Sequence, residues 1–95
     1  VRKEGVGRDK SVPGYSPSGL YMRGAPNGVA MSQSDIDEVV ASFAQAAADS
    51  KAIGFDAIEI HGAHGYLVDQ FLWEGTNQRT DEYGGNYCRY SRCRW

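Results

Sequence analysis

Charge of one sign, long apolar runs and cysteine are all scarce in this sequence. Ten basic residues stand against 12 acidic ones, a formal net charge of −2, which leaves no electrostatic footprint for nucleic acid or for an anionic membrane surface. No apolar stretch approaches the roughly 18 residues of a spanning helix. The opening Val1-Arg2-Lys3-Glu4 is not followed by the apolar stretch of a signal peptide. Cysteine occurs only at Cys88 and Cys93, where a bridge would close a trivial loop and stabilise little. These absences read as a soluble, cytoplasmic chain in a reducing compartment, with neither nucleic acid nor membrane as a partner. Apolar residues fill 41% of the 95 positions, slightly under the globular range, so one modest core is the most the chain can bury.

Glycine and proline, by contrast, are concentrated. Gly5, Gly7, Pro13, Gly14, Pro17, Gly19, Gly24, Pro26 and Gly28 punctuate residues 1–30, where neither helical nor strand periodicity is sustained, so this stretch reads as loop. From Ser32 the pattern changes. Ile36, Val39, Val40, Phe43, Ala46 and Ala47 recur at three- and four-residue steps, with Glu38, Ser42, Gln45 and Asp49 on the other face, which predicts an amphipathic helix from about 34 to 53. Ser32 or Ser34 can cap it, Asp35, Asp37 and Glu38 suit its positive end, and Lys51 with Gly54 suits the other. The next run, Phe55-Asp56-Ala57-Ile58-Glu59-Ile60-His61, mixes aromatic and β-branched residues and predicts a strand. A second apolar-periodic stretch follows at Tyr66, Leu67, Gln70 and Phe71. Helix, glycine, strand, glycine-rich loop and helix is the rhythm of a parallel α/β protein. A single parallel strand leaves both of its hydrogen-bonding edges unpaired, so the chain reads as a piece of something larger and, alone, as poorly folded.

The chemistry-bearing segment is His61-Gly62-Ala63-His64-Gly65-Tyr66, placed where the strand is expected to end and the second helix to begin. Active sites of α/β barrels and open sheets lie at that carboxyl edge. Two imidazoles three residues apart can aim N–H groups at one substrate oxygen, and a phenol two residues on can supply a proton. Addition across a double bond conjugated to a carbonyl or nitro group wants this set, because negative charge develops on the activating oxygen. In that reading His61 and His64 bind the substrate and Tyr66 is the catalytic acid. A histidine after a strand also serves as a plain hydrogen-bonded loop residue, and spacing alone leaves the two readings side by side. A third makes the chain a small metal-binding or interaction module, with His61 and His64 joining Glu59 or a distant ligand around zinc. It is the weaker one, since the sequence has no H-E-x-x-H and no C-x-x-C. Gly5-Val6-Gly7-Arg8-Asp9-Lys10-Ser11 fails as a phosphate loop because Asp9 stands where glycine is required, and no G-x-S-x-G elbow supports a hydrolase.

Taken together, the run from Gly54 to Leu67, Asp69-Gln70-Phe71-Leu72, and Thr76-Asn77-Gln78-Arg79-Thr80-Asp81-Glu82-Tyr83-Gly84-Gly85 closely resemble the Old Yellow Enzyme family of FMN-dependent NADH:flavin oxidoreductases. The resemblance is best over residues 31–85, and Ser16-Pro17-Ser18-Gly19-Leu20 also looks like the family's loop before the helix. It implies a (β/α)8 TIM barrel, of which this chain supplies a loop, a helix, the fourth strand (residues 55–61), the active-site loop and the following helix. It implies FMN as cofactor and NADH or NADPH as reductant, with hydride delivered to the β-carbon of a carbonyl- or nitro-activated alkene. The residue matching Tyr66 then protonates the α-carbon, while those matching His61 and His64 hold the activating oxygen. Many relatives carry asparagine at the second of these positions.

The resemblance further implies that Arg79 and Asp81 form a structural ion pair in a connecting loop. The expected partner is a small-molecule activated alkene, with a homo-oligomer of the full-length enzyme left open. Residues 86–95 depart from the family's pattern: Tyr90-Ser91-Arg92-Cys93 stands where an arginine-x-arginine-phenylalanine run is expected. No residue of this chain can be named as an FMN ligand, and the chain by itself is expected to be inactive.

Overall fold

The computed structural model describes residue 11, residues 13–26 and residues 28–85. The tail with Cys88 and Cys93, and residues 1–10, lie outside the described residues. The longest element is α1 (Gln33–Ala52), within a residue of the expected bounds. Of the two candidate caps, Ser32 does the capping. Its hydroxyl oxygen accepts from the Asp35 N–H at 3.2 Å, and the Asp35 carboxylate accepts from the Ser32 N–H at 2.8 Å, a reciprocal capping box that satisfies two otherwise orphaned donors. At the other end Gly54 turns to φ +98°. The Gly54 N–H donates to Lys51 O at 3.1 Å and the Phe55 N–H to Ser50 O at 3.0 Å. Those two bonds are the Schellman pattern, which needs a residue free to adopt the left-handed region.

Residues 13–30 are not the featureless loop that their glycines and prolines predict. β1 (Tyr15–Ser16) pairs in parallel with β4 (Val29–Ala30), and β2 (Leu20–Met22) pairs antiparallel with β3 (Ala25–Pro26). Strands of two or three residues are too short to show a period, so the glycines that read as loop are in fact the turns between them. Gly28 is obligatory: at φ +78°, a Cβ there would lie 1.9 Å from Gly14 O, closer than any side chain tolerates.

A larger departure concerns residues 55–61. The expected fourth strand is absent from the structure; these residues carry no strand and are exposed throughout. Among the described residues, 56–62 enter no backbone–backbone hydrogen bond. A strand exists only as part of a ladder, and no neighbouring strand is available to form one. α2 (Leu67–Leu72) follows, as expected, after the glycine-rich loop. Among the described residues no helix is long and apolar enough to cross a membrane.

The core is small and lies at one end of α1. Met31, Ile36, Leu67 and Phe71 are buried, with Tyr15, Val39, Val40 and Tyr83 packed against them. Further along α1, Phe43 is exposed, and so beyond the helix are Ile53, Phe55, Ile58 and Ile60. Val40, Phe43, Ala44, Ala47, Ile58, Ile60 and Val68 line an open apolar groove of about 270 Å³.

Arg79 ties the distant parts of the chain together. Its guanidinium donates from Nη1 to Pro17 O at 2.8 Å and to Met31 O, and from Nε to Asp81 Oδ1 at 2.9 Å and Oδ2 at 3.1 Å, with Nη2 also on Asp81. The Gln78 N–H adds a bond to Ser18 Oγ at 2.8 Å. The ion pair between Arg79 and Asp81 is thus present, and the guanidinium does more than pair: its bond to Pro17 O closes a loop of some 60 residues. The turn that carries it is built around Asn77, whose Nδ2 donates to Phe71 O at 2.8 Å and Tyr83 O at 2.6 Å. Gly84 completes it, since a Cβ there would sit 1.9 Å from Arg79 O.

Hydrogen bonding to Arg79 holds the Asp81 carboxyl below its ordinary value of 3.8, despite partial desolvation. A depressed folded-state pKa contributes stability above the unfolded value that is lost as pH falls through the folded one. Denaturant titrations between about pH 5 and pH 3 should therefore show wild-type stability falling below about pH 3.8, with Asp81→Asn removing that part of the slope. Arg79→Lys should cost about 1.5–3 kcal/mol at neutral pH, because one ammonium cannot serve two carbonyls and both carboxylate oxygens. Equal stability of Arg79→Lys and wild type would contradict the tie.

Candidate active site

The loop after residue 62 is organised by a tight turn. The Tyr66 N–H donates to Ala63 O at 3.3 Å, and the two residues between them have positive φ, +59° at His64 and +75° at Gly65. Positive φ at both central positions is the type I′ signature. Glycine adopts it freely, and histidine is among the few side-chain-bearing residues that enter it with some frequency. The chain therefore reverses at His64-Gly65 and delivers Tyr66 to the N-cap of α2, where its side chain makes no capping bond.

The turn brings together the three residues that the sequence singles out. The His61 and His64 rings are 5.2 Å apart between centroids and tilted by 42°, and the His61 and Tyr66 rings are 4.9 Å apart, edge to face at 62°. All three side chains are exposed. None of these side chains makes a hydrogen bond among the described residues, so two imidazoles and a phenol lie side by side with their polar atoms unengaged there. A cleft of about 380 Å³ adjoins His61 and Tyr66, lined by these two with Phe43, Gly65, Leu67, Val68 and Gln70 but not by His64. Glu59 is exposed, and it has no ion-pair partner among the described residues. The described residues also contain no group of three His, Cys, Asp or Glu side chains placed to hold a metal ion, so the zinc reading gains no third ligand from Glu59.

Two residues that sequence reasoning did not single out hold this turn. The Asp69 carboxylate accepts from the Gly65 N–H at 2.7 Å, and the Gln70 Nε2 donates to Gly65 O at 2.7 Å. Gly65 is thus gripped at both its donor and its acceptor by α2. Because a carbonyl only accepts, the Gln70 amide must present its nitrogen there. Its Oε1 is left buried, without a partner among the described residues. An acidic residue in the first turn of a helix entered through a glycine turn was the available signal for Asp69.

Comparison with known proteins adds the following. The model of the NADH:flavin oxidoreductase / NADH oxidase family matches residues 4–95. The chain is 51% identical over 77 residues to 12-oxophytodienoate reductase 7 of Oryza sativa subsp. japonica, covering 78% of this chain and 19% of that protein. It is 47% identical over 84 residues to the NADPH dehydrogenase of Bacillus licheniformis, covering 85% and 25%. It is 43% identical over 88 residues to a probable flavin mononucleotide-dependent alkene reductase of Leishmania infantum, covering 84% and 24%. The chain therefore spans about a fifth to a quarter of the length of these relatives.

The backbone at position 64 dictates what it tolerates. Asparagine enters the left-handed region readily, whereas a β-branched residue there is strained by about 1–2 kcal/mol. His64→Asn should therefore match wild type in thermal stability to within about 0.5 kcal/mol, and His64→Val should fall below it by about 1–2 kcal/mol. Indistinguishable melting of the Asn and Val variants would show that the turn is not formed.

Proposed function

The chain belongs to the NADH:flavin oxidoreductase / NADH oxidase family, the Old Yellow Enzyme family, and from this we propose that it supplies the substrate-activating face of an FMN-dependent alkene reductase. In this reading residues 55–61 become the fourth strand of a (β/α)8 barrel once neighbouring strands pair with them. Supporting that, Ile58 and Ile60 already face the α1 residues Phe43 and Ala47 across the apolar groove. The 95-residue chain alone is inactive, because one face of a site without the rest of a barrel cannot complete the reaction.

The observation that carries the chemistry is the cluster of His61, His64 and Tyr66 rings with no internal partners. Imidazole N–H groups from His61 and His64 converge on the carbonyl or nitro oxygen of the alkene. They stabilise the negative charge that grows there as the β-carbon is attacked, and donors aimed at developing charge are the largest single source of catalysis. The Tyr66 hydroxyl gives its proton to the α-carbon.

The chemistry supplied by bound FMN is delivery of the hydride, with NADH or NADPH as the ultimate source. The donor set fits the substrate side of such a cofactor, while the described residues offer no evident cradle for its phosphate. Arg79 is engaged with Pro17, Met31 and Asp81, Arg23 lies beside Glu74, and Lys51 is in the last turn of α1.

In the full-length flavoprotein, Tyr66→Phe should leave flavin reduction by the nicotinamide unchanged. It should slow reoxidation by an enone on the order of 10²–10⁴-fold, the range for a positioned general acid. Replacing either histidine should weaken enone binding as well as the rate, since both donors grip an oxygen already partly charged in the ground state. Stopped-flow traces of the two half-reactions separate these effects. A normal alkene half-reaction in Tyr66→Phe would make water the proton donor and Tyr66 a packing residue.

A further inference from the structure

We infer that Asp69 and Gln70 are positioning residues that set the aim of His64, acting through the Gly65 peptide; this rests on the substrate-binding role proposed for His64. The two ends of the turn are held differently. Tyr66 belongs to the frame of α2, since its carbonyl accepts from the Gln70 N–H at 2.9 Å. His64 has no such anchor. It sits at φ +59°, a conformation that an L-residue leaves unless its surroundings hold it there. Beside the Tyr66 N–H to Ala63 O bond that closes the turn at 3.3 Å, what holds it is the next residue: the Gly65 N–H on the Asp69 carboxylate at 2.7 Å and Gly65 O on the Gln70 amide nitrogen at 2.7 Å.

The first of these bonds has an ionised acceptor and is the stronger of the two. It also places negative charge in the first turn of α2, where the helix favours it. Steric need for glycine does not explain the arrangement, because nothing lies within 4 Å of where a Gly65 Cβ would point. The requirement at Gly65 is its φ of +75° and the two bonds that fix the peptides on either side of it, Asp69 on the His64–Gly65 peptide and Gln70 on the Gly65–Tyr66 peptide. Loss of either bond frees the backbone torsions that flank the planar His64–Gly65 peptide and lets the His64 imidazole swing away from His61, whereas Tyr66 stays on the helix. Asp69 and Gln70 therefore bear on binding of the substrate oxygen, the work of His64, more than on proton delivery by Tyr66.

A double-mutant cycle in the FMN-loaded full-length enzyme tests this. Binding of an enone such as cyclohexenone to the oxidised enzyme is measured by calorimetry, and the saturated rate of the alkene half-reaction by stopped flow. Asp69→Ala should weaken binding about tenfold or more, the scale of a misplaced donor, and follow the pattern of His64→Ala rather than the rate-only pattern of Tyr66→Phe. Asp69→Asn, which keeps an acceptor for the Gly65 N–H, should recover binding to within about threefold of wild type. In a His64→Ala background the same Asp69→Ala change should add less than about twofold, because the residue it positions is gone.

Gln70→Leu should repeat the cycle, and serves in its place if Asp69→Ala does not yield folded enzyme. Equal effects of Asp69→Ala with and without His64, or no effect on binding while His64→Ala weakens it, would overturn the positioning role alone. Normal enone binding by His64→Ala would overturn the reading beneath it, and the inference with it.

Discussion

The backbone that leads into His61 takes no hydrogen bond from the backbone of the other described residues. Peptide groups away from water need partners, so residues 56–62 can stay as they are only while exposed. They are exposed at every position. The rest of the organisation follows. α1 has a core to pack against only near its start, where Ile36 meets Met31, Leu67 and Phe71. Its later apolar residues face a groove whose other wall is this same unpaired segment. In a barrel the groove would be the buried contact between a strand and the helix before it, and neighbouring strands would supply the missing ladder.

Around this open side, two local devices keep the ring cluster and the elements beside it organised. Arg79 gathers Pro17, Met31 and Asp81 into one tie and so joins the short strands, the start of α1 and the turn after α2. The grip of α2 on Gly65 sets the reversal that groups three rings. Both devices use short, charge-assisted or paired hydrogen bonds rather than a large core, which suits described residues whose hydrophobic core is Met31, Ile36, Leu67 and Phe71. The relation among His61, His64 and Tyr66 is therefore encoded locally. In the proposed barrel, the placement of that cluster relative to a cofactor would depend on residues 55–61 pairing as a strand.

The sequence made some of these features plain and hid others, for physical reasons. α1 was legible to within a residue because its caps, dipole charges and 3.6-residue period all agree. The ring cluster was legible because its members lie within six residues of one another, so a local turn suffices to assemble them. The strand at 55–61 was legible as a pattern and absent as an element, since β-propensity expresses fit to neighbours rather than a backbone preference. The pairing of Tyr15–Ser16 with Val29–Ala30 was hidden by glycines and prolines that mark the turns of strands too short to show alternation. Asp69 and Gln70 looked like ordinary first-turn residues, because their importance lies in which peptide they reach, and spacing alone does not report that.

On the proposed reading residues 55–61, without a strand partner among the described residues, would become a strand once neighbouring strands pair with them. Amide hydrogen exchange tests it most directly, comparing the monomeric 95-residue chain with a protein extended to the length of its relatives. The amides of residues 56–61 should exchange within about tenfold of their unprotected rates in the short chain, and be slowed by on the order of 10³-fold or more in the long one. Strong protection of these amides in the monomeric 95-residue chain would contradict the account, because the segment would then have found hydrogen-bond partners that the structure does not contain.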